Sequence, residues 1–412
     1  MSLDPSSHVQ LGKIMKDKKI GVGERYYAKN YGLSEGVQYC TRCVVSNQRP
    51  RITFDDKGVC SACNFSDYKN AVVDWKEREN ELKELCDKFR RNDGGYDVVV
   101  PSSGGKDSAF VAHMLKNKFG MTPLTVTWAP HLYTDIGFQN HQNHSHVGDL
   151  SNMLVTPPGV THRKLTKLSF EVLGDPFLPF IFGQNNMPLQ IANRFKIPLV
   201  MYGENSEVEY GGSMADAYNP MRDWKHKNTN VLMSGIPPEK FIDKGISKND
   251  MDPYLQPDSK ELEELGLQIH YLSYYHKWIP QENYYYCVEN TGFKANSVRS
   301  EGTYSKYASL DDRLDGFHFY LMFIKFGIGR ATSDAGHEVR DGHITREEAA
   351  KLVGRFDGEF PQNHFQKFLE YCDISEDYFH EVVDSWRPKH IWKDDGGKWL
   401  LKHKVDGSGC ND

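Results

Sequence analysis

Residues Val98 to Phe110 read VVVPSSGGKDSAF, and this stretch decides the fold. The run from Tyr96 to Val100 predicts a buried strand, the serines and glycines predict a turn, and Ala109 to Leu115 predicts a helix with Gly120 beyond its end. Strand, glycine turn and helix in succession leave free backbone amides at a helix N-terminus, where the dipole attracts an anion. Gly104 and Gly105 let the backbone approach a phosphate closely, Ser103 and Ser108 offer hydroxyl donors, and Lys106 offers a cation. The Walker A pattern is excluded, because it needs glycine where Val100 stands and serine or threonine where Asp107 stands.

Working outward, Leu124 to Trp128 and Ile197 to Tyr202 read as further strands, the second preceded by a helical Leu189 to Lys196. Alternating strands and helices predict a parallel α/β sheet with its sites at the carboxyl ends of the strands. Upstream, Asp74 to Arg91 is a charged helix with Leu82, Leu85 and Phe89 at helical spacing, closed by the turn cluster Asn92-Asp93-Gly94-Gly95. Downstream, the apolar stretch from Phe317 to Gly329 is broken by His318 and Lys325, so it reads as a buried helix and not as a membrane span. With 412 residues, 39% of them hydrophobic, the chain can bury a large core with smaller attachments. A net charge of −6 gives no electrostatic footprint for nucleic acid, and the absence of a secretory pattern at the N-terminus predicts a cytoplasmic protein with no membrane insertion.

Eight cysteines in a chain this long do not form a disulfide scaffold; four of them pair tightly as Cys40/Cys43 and Cys60/Cys63, spaced C-x2-C-x16-C-x2-C. Four thiolates on two knuckles close a tetrahedron about one structural zinc and leave no open position for catalysis. Arg51-Ile52-Thr53-Phe54 reads as a strand, and Asp56-Lys57-Gly58 as the following turn.

Ser103-Gly104-Gly105-Lys106-Asp107-Ser108 resembles the S-G-G-x-D-S signature of the PP-loop ATP pyrophosphatases, which hold the β and γ phosphates of ATP and cleave between α and β. Together with Arg51 to Asp55, Gly203 to Glu207, Glu209 to Gly212, Arg299 to Tyr307 ("RSEGTYSKY"), Lys325 to Arg330 and Gly342 to Arg346, it resembles the N-acetyl sugar amidotransferases from about Cys40 to beyond Glu348. The resemblance implies a parallel-sheet PP-loop α/β domain with an N-terminal zinc ribbon and a helical C-terminal region. The expected organisation is an extension at 1–37, a ribbon at 38–70, a helical linker at 71–94, the catalytic domain at 95–330 and the helical region at 331–412. It also implies conversion of an acetamido group on a nucleotide-activated bacterial sugar to an acetamidino group, for surface polysaccharide or flagellar glycan. ATP, Mg²⁺ and structural Zn²⁺ are the cofactors that go with it. The partners implied are the nucleotide sugar, a glutaminase and a cyclase-like ammonia-channel subunit.

The expected ATP site comprises Ser102, Ser103, Gly104, Gly105, Lys106, Asp107, Ser108, Thr127 and Gly203, and the expected catalytic residues are Lys106, Asp107 and Glu204. An amide oxygen is a poor leaving group, so adenylylation must activate it before ammonia attacks, and Lys106 with the loop amides stabilises the charge that develops on phosphate. Asp107 orients the loop or meets the metal through water. Glu204, Glu207 and Glu209 form an acidic group suited to Mg²⁺ or ammonium, with a solvated loop as the plain alternative. Lys294, Arg299 and Lys306 are placed to grip a diphosphate, or are simply solvated, whereas His131, His141, His144 and His146 read as a substrate loop or surface. Cys86, Cys287, Cys372 and Cys410 lack the context of a glutaminase nucleophile, so nitrogen must come from ammonia or a separate subunit. A tRNA-thiolating PP-loop enzyme and a non-enzymatic nucleotide-binding adaptor are the competing readings.

Overall fold

The computed structural model describes residues 23, 31–212, 214, 217–224, 238–242 and 245–410. The expected N-terminal extension lies mostly outside the described residues. Five parallel strands, β1 Val98–Ser102, β2 Pro123–Trp128, β3 Ser151–Val155, β4 Leu199–Tyr202 and β5 Gln268–Tyr271, form one sheet in the order 3-2-1-4-5. Every residue of β1 and β2 is buried, as expected of strands covered by helices on both faces. Along β1, Val99 enters the core beneath helices Gly159–Leu173 and Leu178–Phe195, while Val98 and Val100 enter the core beneath Lys106–Asn117 and Pro280–Asn290.

In chain order the principal helices are α1 Ser61–Ala71, α2 Trp75–Phe89, α3 Lys106–Asn117, α4 Asp135–His146, α5 Gly159–Leu173, α6 Leu178–Phe195, α7 Ser259–Leu265 and α8 Pro280–Asn290. They continue as α9 Asp315–Phe326, α10 Arg330–Arg340, α11 Arg346–Phe356, α12 Phe365–Cys372 and α13 Glu376–Ser385. The α2 helix starts at the cap Asp74, whose side chain accepts from the Lys76 and Glu77 amides, and Thr345 with Glu348 forms the capping box that opens α11. Strand β1 runs two residues later than the sequence predicts, because Pro101 and Ser102 still pair with Val126 and Thr127. Helix α3 starts three residues earlier, since Gly105 (φ −73°, ψ 166°) already serves as its N-cap, and so Lys106 and Asp107 belong to its first turn. Helix α6 is much longer than the predicted segment and carries Pro188 inside it.

Two expectations about outlying segments change. Arg51 to Phe54 is no strand: Arg51 is left-handed (φ 67°), and the cysteine segment pairs only through the isolated bridges Tyr39 with Ser46 and Phe54 with Cys60. The C-terminal region is helical as far as α13 but ends in an antiparallel hairpin, β6 Trp392–Asp395 and β7 Lys398–Leu401, around Gly396-Gly397. Its Phe368 and Phe379, together with Phe317 and Leu321 of α9, pack against Phe170 of α5. Val44 of the cysteine segment shares a core with Ala335 of α10 and Ala349 and Val353 of α11. Helix α10 is thereby held between the cysteine segment and the carboxyl ends of the strands.

Candidate active site

The strand order reverses between β1 and β4, and the loops leaving these two strands open a crevice at their carboxyl ends. A cavity of about 250 Å³ occupies it. The loop after β1 contributes Ser103 to Asp107, the loop after β4 contributes Glu204 and Tyr210, and α10 contributes Arg330, Asp334 and His337. Gly104 has φ +85°, and a Cβ there would lie 2.8 Å from the His141 Cα of α4, so the loop reaches its position only because this residue has no side chain. The Gly104 amide donates to Ser102 Oγ at 3.1 Å and the Gly105 amide to Ser103 Oγ at 3.3 Å. No side chain caps α3, so its first-turn amides are left for an anion, as the sequence predicts. Lys106 is buried, with Nζ 2.6 Å from Asp107 Oδ1, and it faces the Tyr307 ring at 5.9 Å.

Glu204 stands across the switch point from this loop. Its Oε2 accepts from Trp278 Nε1 at 3.1 Å and from the Tyr210 hydroxyl at 3.5 Å. Burial, and then the charge of Asp107, push its carboxyl up to about 7, with Lys106 opposing. A carboxyl balanced between its two protonation states at neutral pH is a poor magnesium ligand and a well-matched proton acceptor. Trp278 in turn packs on Gly203, where a Cβ would lie 2.7 Å from its ring.

The remaining wall is one that sequence reasoning did not assign. Asp311 and Asp312, on the segment before α9, and Asp315, which opens α9, line the cavity together with Asp334, Glu338 and Asp341. Burial, and then the charges of Asp315 and Asp312, raise Asp311 to about 6 against a hydrogen bond from Ser103. Arg330, half-buried, pairs with Asp334 at 3.0 Å and stays charged. Counted with Asp107 and Glu204, eight carboxyl groups face Lys106 and Arg330, so the cavity favours cations and relies on the loop for its anion-binding power. The spacing in Asp311-Asp312-Arg313-Leu314-Asp315 was the available signal, but nothing local says that this irregular segment folds back over the loop. Ser309 beside it is left-handed (φ 54°), a strain of ~1 kcal/mol of the kind that collects at functional sites.

Several predicted residues lie elsewhere. Ser102 and Ser108 hydrogen-bond each other at 3.0 Å, Thr127 is wholly buried and accepts from Asn152 at 2.9 Å, and Gly203 serves Trp278; none of these four lines the cavity. The acidic group divides: Glu207 pairs with Arg51 and Glu209 with Lys69, leaving Glu204 to the cavity. Arg299 is held bidentately by Glu359 at 2.5 and 2.6 Å, and neither it nor Lys294 nor Lys306 reaches the wall. The surface reading holds for His146, which is exposed, and fails for the other three: α4 turns His141 and His144 inward, and His131, in the loop before α4, is buried with its Nδ1 2.7 Å from Asp312. Cys287 is fully buried, donates to the Lys106 carbonyl at 3.1 Å, and has its thiol pushed up to about 12 by burial.

Cys40, Cys43, Cys60 and Cys63 are buried with all four sulfurs within 4.8 Å of one another, the single such group found among the described residues. Cys40 to Cys63 measures 4.0 Å and Cys43 to Cys60 3.7 Å. A tetrahedron with metal–sulfur bonds of about 2.3 Å has edges of about 3.8 Å, so the donor set fits a tetrahedral ion. The amides of Arg42, Cys43 and Cys60 all point at the Cys40 sulfur, at 3.3 to 3.5 Å, which stabilises a thiolate. No described helix is long and apolar enough to cross a membrane.

Fold and site together define a parallel α/β protein with an anion-cradling loop at its switch point and a four-cysteine centre behind it. Residues 301–405 match the family described as "LPS biosynthesis protein WbpG-like, C-terminal domain". The match covers about a quarter of the chain and includes Tyr307, the three aspartates and α10, and it supports the amidotransferase resemblance. An uncharacterized protein of Methanocaldococcus jannaschii, MJ1599, is 29% identical over 89 residues, which are 21% of this chain and 31% of that protein. The chain thus spans less than a third of that relative's length. Among solved structures, NMN synthetase from Francisella tularensis aligns over 68% of this chain and 96% of its own with 13% identity and a TM-score of 0.27.

Proposed function

We propose that the chain is an ATP-dependent, AMP-forming amidotransferase that turns the acetamido group of a nucleotide-activated sugar into an acetamidino group for surface polysaccharide synthesis. The observation that carries the reading is the pairing, across one switch point, of an uncapped glycine loop with Lys106 and a half-buried Glu204 poised near neutrality. The loop amides and Lys106 hold the β and γ phosphates while the amide oxygen attacks the α phosphorus and pyrophosphate leaves. Magnesium accompanying ATP supplies charge neutralisation on the phosphate oxygens. Ammonia then attacks the imidate carbon, Glu204 accepts the proton that its nitrogen gives up, and the carbon–oxygen bond breaks to release AMP. The carboxylate-rich wall concentrates ammonium where that step occurs.

Nitrogen comes, in this reading, from a separate glutaminase through a channel subunit. Cys86, Cys287 and Cys372 are buried thiols pushed up to about 12, the reverse of an activated nucleophile. The same feature weighs against tRNA thiolation, which needs a reactive cysteine beside the loop. Cys40, Cys43, Cys60 and Cys63 would hold one structural zinc, fastening a segment with little core of its own. The deciding experiment incubates the chain with candidate nucleotide sugars, ATP, Mg²⁺ and either ammonium or glutamine, and reads products by mass spectrometry. With ammonium the sugar should lose about one mass unit, as oxygen is replaced by NH, with AMP and pyrophosphate formed; glutamine alone should give no turnover. ADP with phosphate, or glutamine-driven product from this chain alone, would sink the proposal.

A further inference from the structure

We propose that Lys69, on the cysteine-bearing helix α1, is a positioning residue for the cavity: through Trp278 and Glu209 it fixes the carboxylate of Glu204. Lys69 follows Cys63 by less than two helical turns, and its side chain is 3% exposed. Its Nζ donates to Glu209 Oε2 at 2.9 Å and to the Trp278 carbonyl at 3.1 Å. Trp278 is the residue whose indole N–H reaches Glu204, and Glu209 ends the one-turn helix Ser206–Glu209 that follows Glu204 after β4. Arg49 of the cysteine segment faces the ring of Tyr210, the second donor to Glu204, at 5.5 Å. Both groups that grip Glu204 are therefore backed by side chains from the cysteine segment.

Stability alone does not account for a buried pair here. Two apolar residues of similar volume commonly serve as well or better, because each ion must shed its hydration. What a fixed ammonium supplies is a charge that offsets Glu209 close to Glu204 and a bond that sets the backbone of Trp278. The charged and titratable groups facing Glu204 are Lys106 and Asp107 from α3, Glu209 and Tyr210 from its own loop, and Arg330 and Asp334 across the cavity on α10. Arg340, on the same helix, donates to the Glu209 carbonyl at 2.8 Å. Of these, only Glu209 is held directly by Lys69.

The inference rests on the reading of Glu204 as proton acceptor, and its test observes that carboxyl without needing turnover. Full-length protein carrying ¹⁵N-labelled tryptophan is titrated by NMR from about pH 5 to about pH 9, following the Trp278 indole signal, assigned by its loss in Trp278→Phe. The wild-type signal should titrate near 7. Lys69→Met, leaving Glu209 uncompensated, should raise the midpoint by roughly one unit, Glu209→Gln should lower it by a similar amount, and the double variant should return towards wild type. Metal content should be equal in all four proteins. The ammonium-dependent rate of amidine formation by Lys69→Met should fall roughly fivefold in kcat at about pH 7 with the ATP KM unchanged, because a midpoint one unit higher leaves that much less carboxylate. Should Lys69→Met not fold, Glu209→Gln and the double variant carry the comparison. Coincident midpoints would overturn the role of Lys69 alone, whereas a wild-type indole with no titration near 7 would overturn the reading of Glu204 and this inference with it.

Discussion

Replacing Gly104 by alanine tests the loop where the fold is least forgiving, and its neighbour supplies the control. Gly104 is left-handed at φ +85°, which costs an L-residue about 1–2 kcal/mol. The new Cβ would also stand 2.8 and 2.9 Å from the Cα and Cβ of His141, whose helix is packed and cannot yield freely; overpacking of this kind costs about 1–3 kcal/mol. A total of about 3 kcal/mol, set against an unfolding entropy of about 2.1 cal/mol/K per residue over 412 residues, lowers the melting temperature by about 3–4 °C. If the loop instead relieves the contact by moving about 1 Å, phosphate positioning suffers and pyrophosphate release should fall roughly 100-fold. Gly105 sits at φ −73° in extended conformation, and its Cβ would meet only Ser103 Oγ, at 3.1 Å. Gly105→Ala should therefore cost at most about 1 kcal/mol, the difference between glycine and alanine at an N-cap. Differential scanning calorimetry and a pyrophosphate-release assay on the two variants decide the matter. A Gly104→Ala protein that melts and turns over like wild type, or a Gly105→Ala protein that is the worse of the two, would refute the reasoning.

Two further outcomes follow from the site. Cys40→Ser or Cys63→Ser should lower bound zinc below one ion per chain and reduce soluble yield, because metal binding by four thiolates is coupled to folding; elemental analysis of the purified variants reads this directly. Glu204→Gln should abolish the rise of the ammonium-dependent rate through pH 7 while leaving adenylylation intact. The acceptor is the carboxylate, which forms only as pH climbs past a value held at about 7, so wild-type activity increases with pH across that window. The sign for stability is opposite: a glutamate raised from 4.5 to about 7 by burial is ionised against its surroundings, and the folded state loses that increment as pH rises through the same range.

Much of this protein is local, and the sequence determined it by itself. The strand–glycine–helix order of Val98 to Phe110, the cap at Asp74, the capping box at Thr345 and the two cysteine knuckles each depend on residues a few positions apart. Their physics, backbone amides, side-chain caps and thiolate spacing, can be read without knowing what lies across the molecule. The edge strands β3 and β5 escaped because Ser-Asn-Met-Leu-Val and Gln-Ile-His-Tyr are short and lack the apolar run of a doubly covered strand. The hairpin at Gly396-Gly397 is marked by its glycines, but the charged residues around it hide its strands.

The tertiary structure alone decided which charges meet. Glu204, Glu207 and Glu209 are alike in sequence, yet packing sends one to the cavity and the others to Arg51 and Lys69, residues more than a hundred positions away. Arg299, which the sequence leaves open between a diphosphate ligand and a solvated cation, is instead taken by Glu359, and His141 and His144 become interior groups because α4 packs that face inward. Asp311 and Asp315 acquire their raised pKa values only where the chain folds back over the loop and removes water from them. Desolvation and charge pairing depend on separation in space, and for residues distant in sequence that separation is fixed only by the packing of the whole fold.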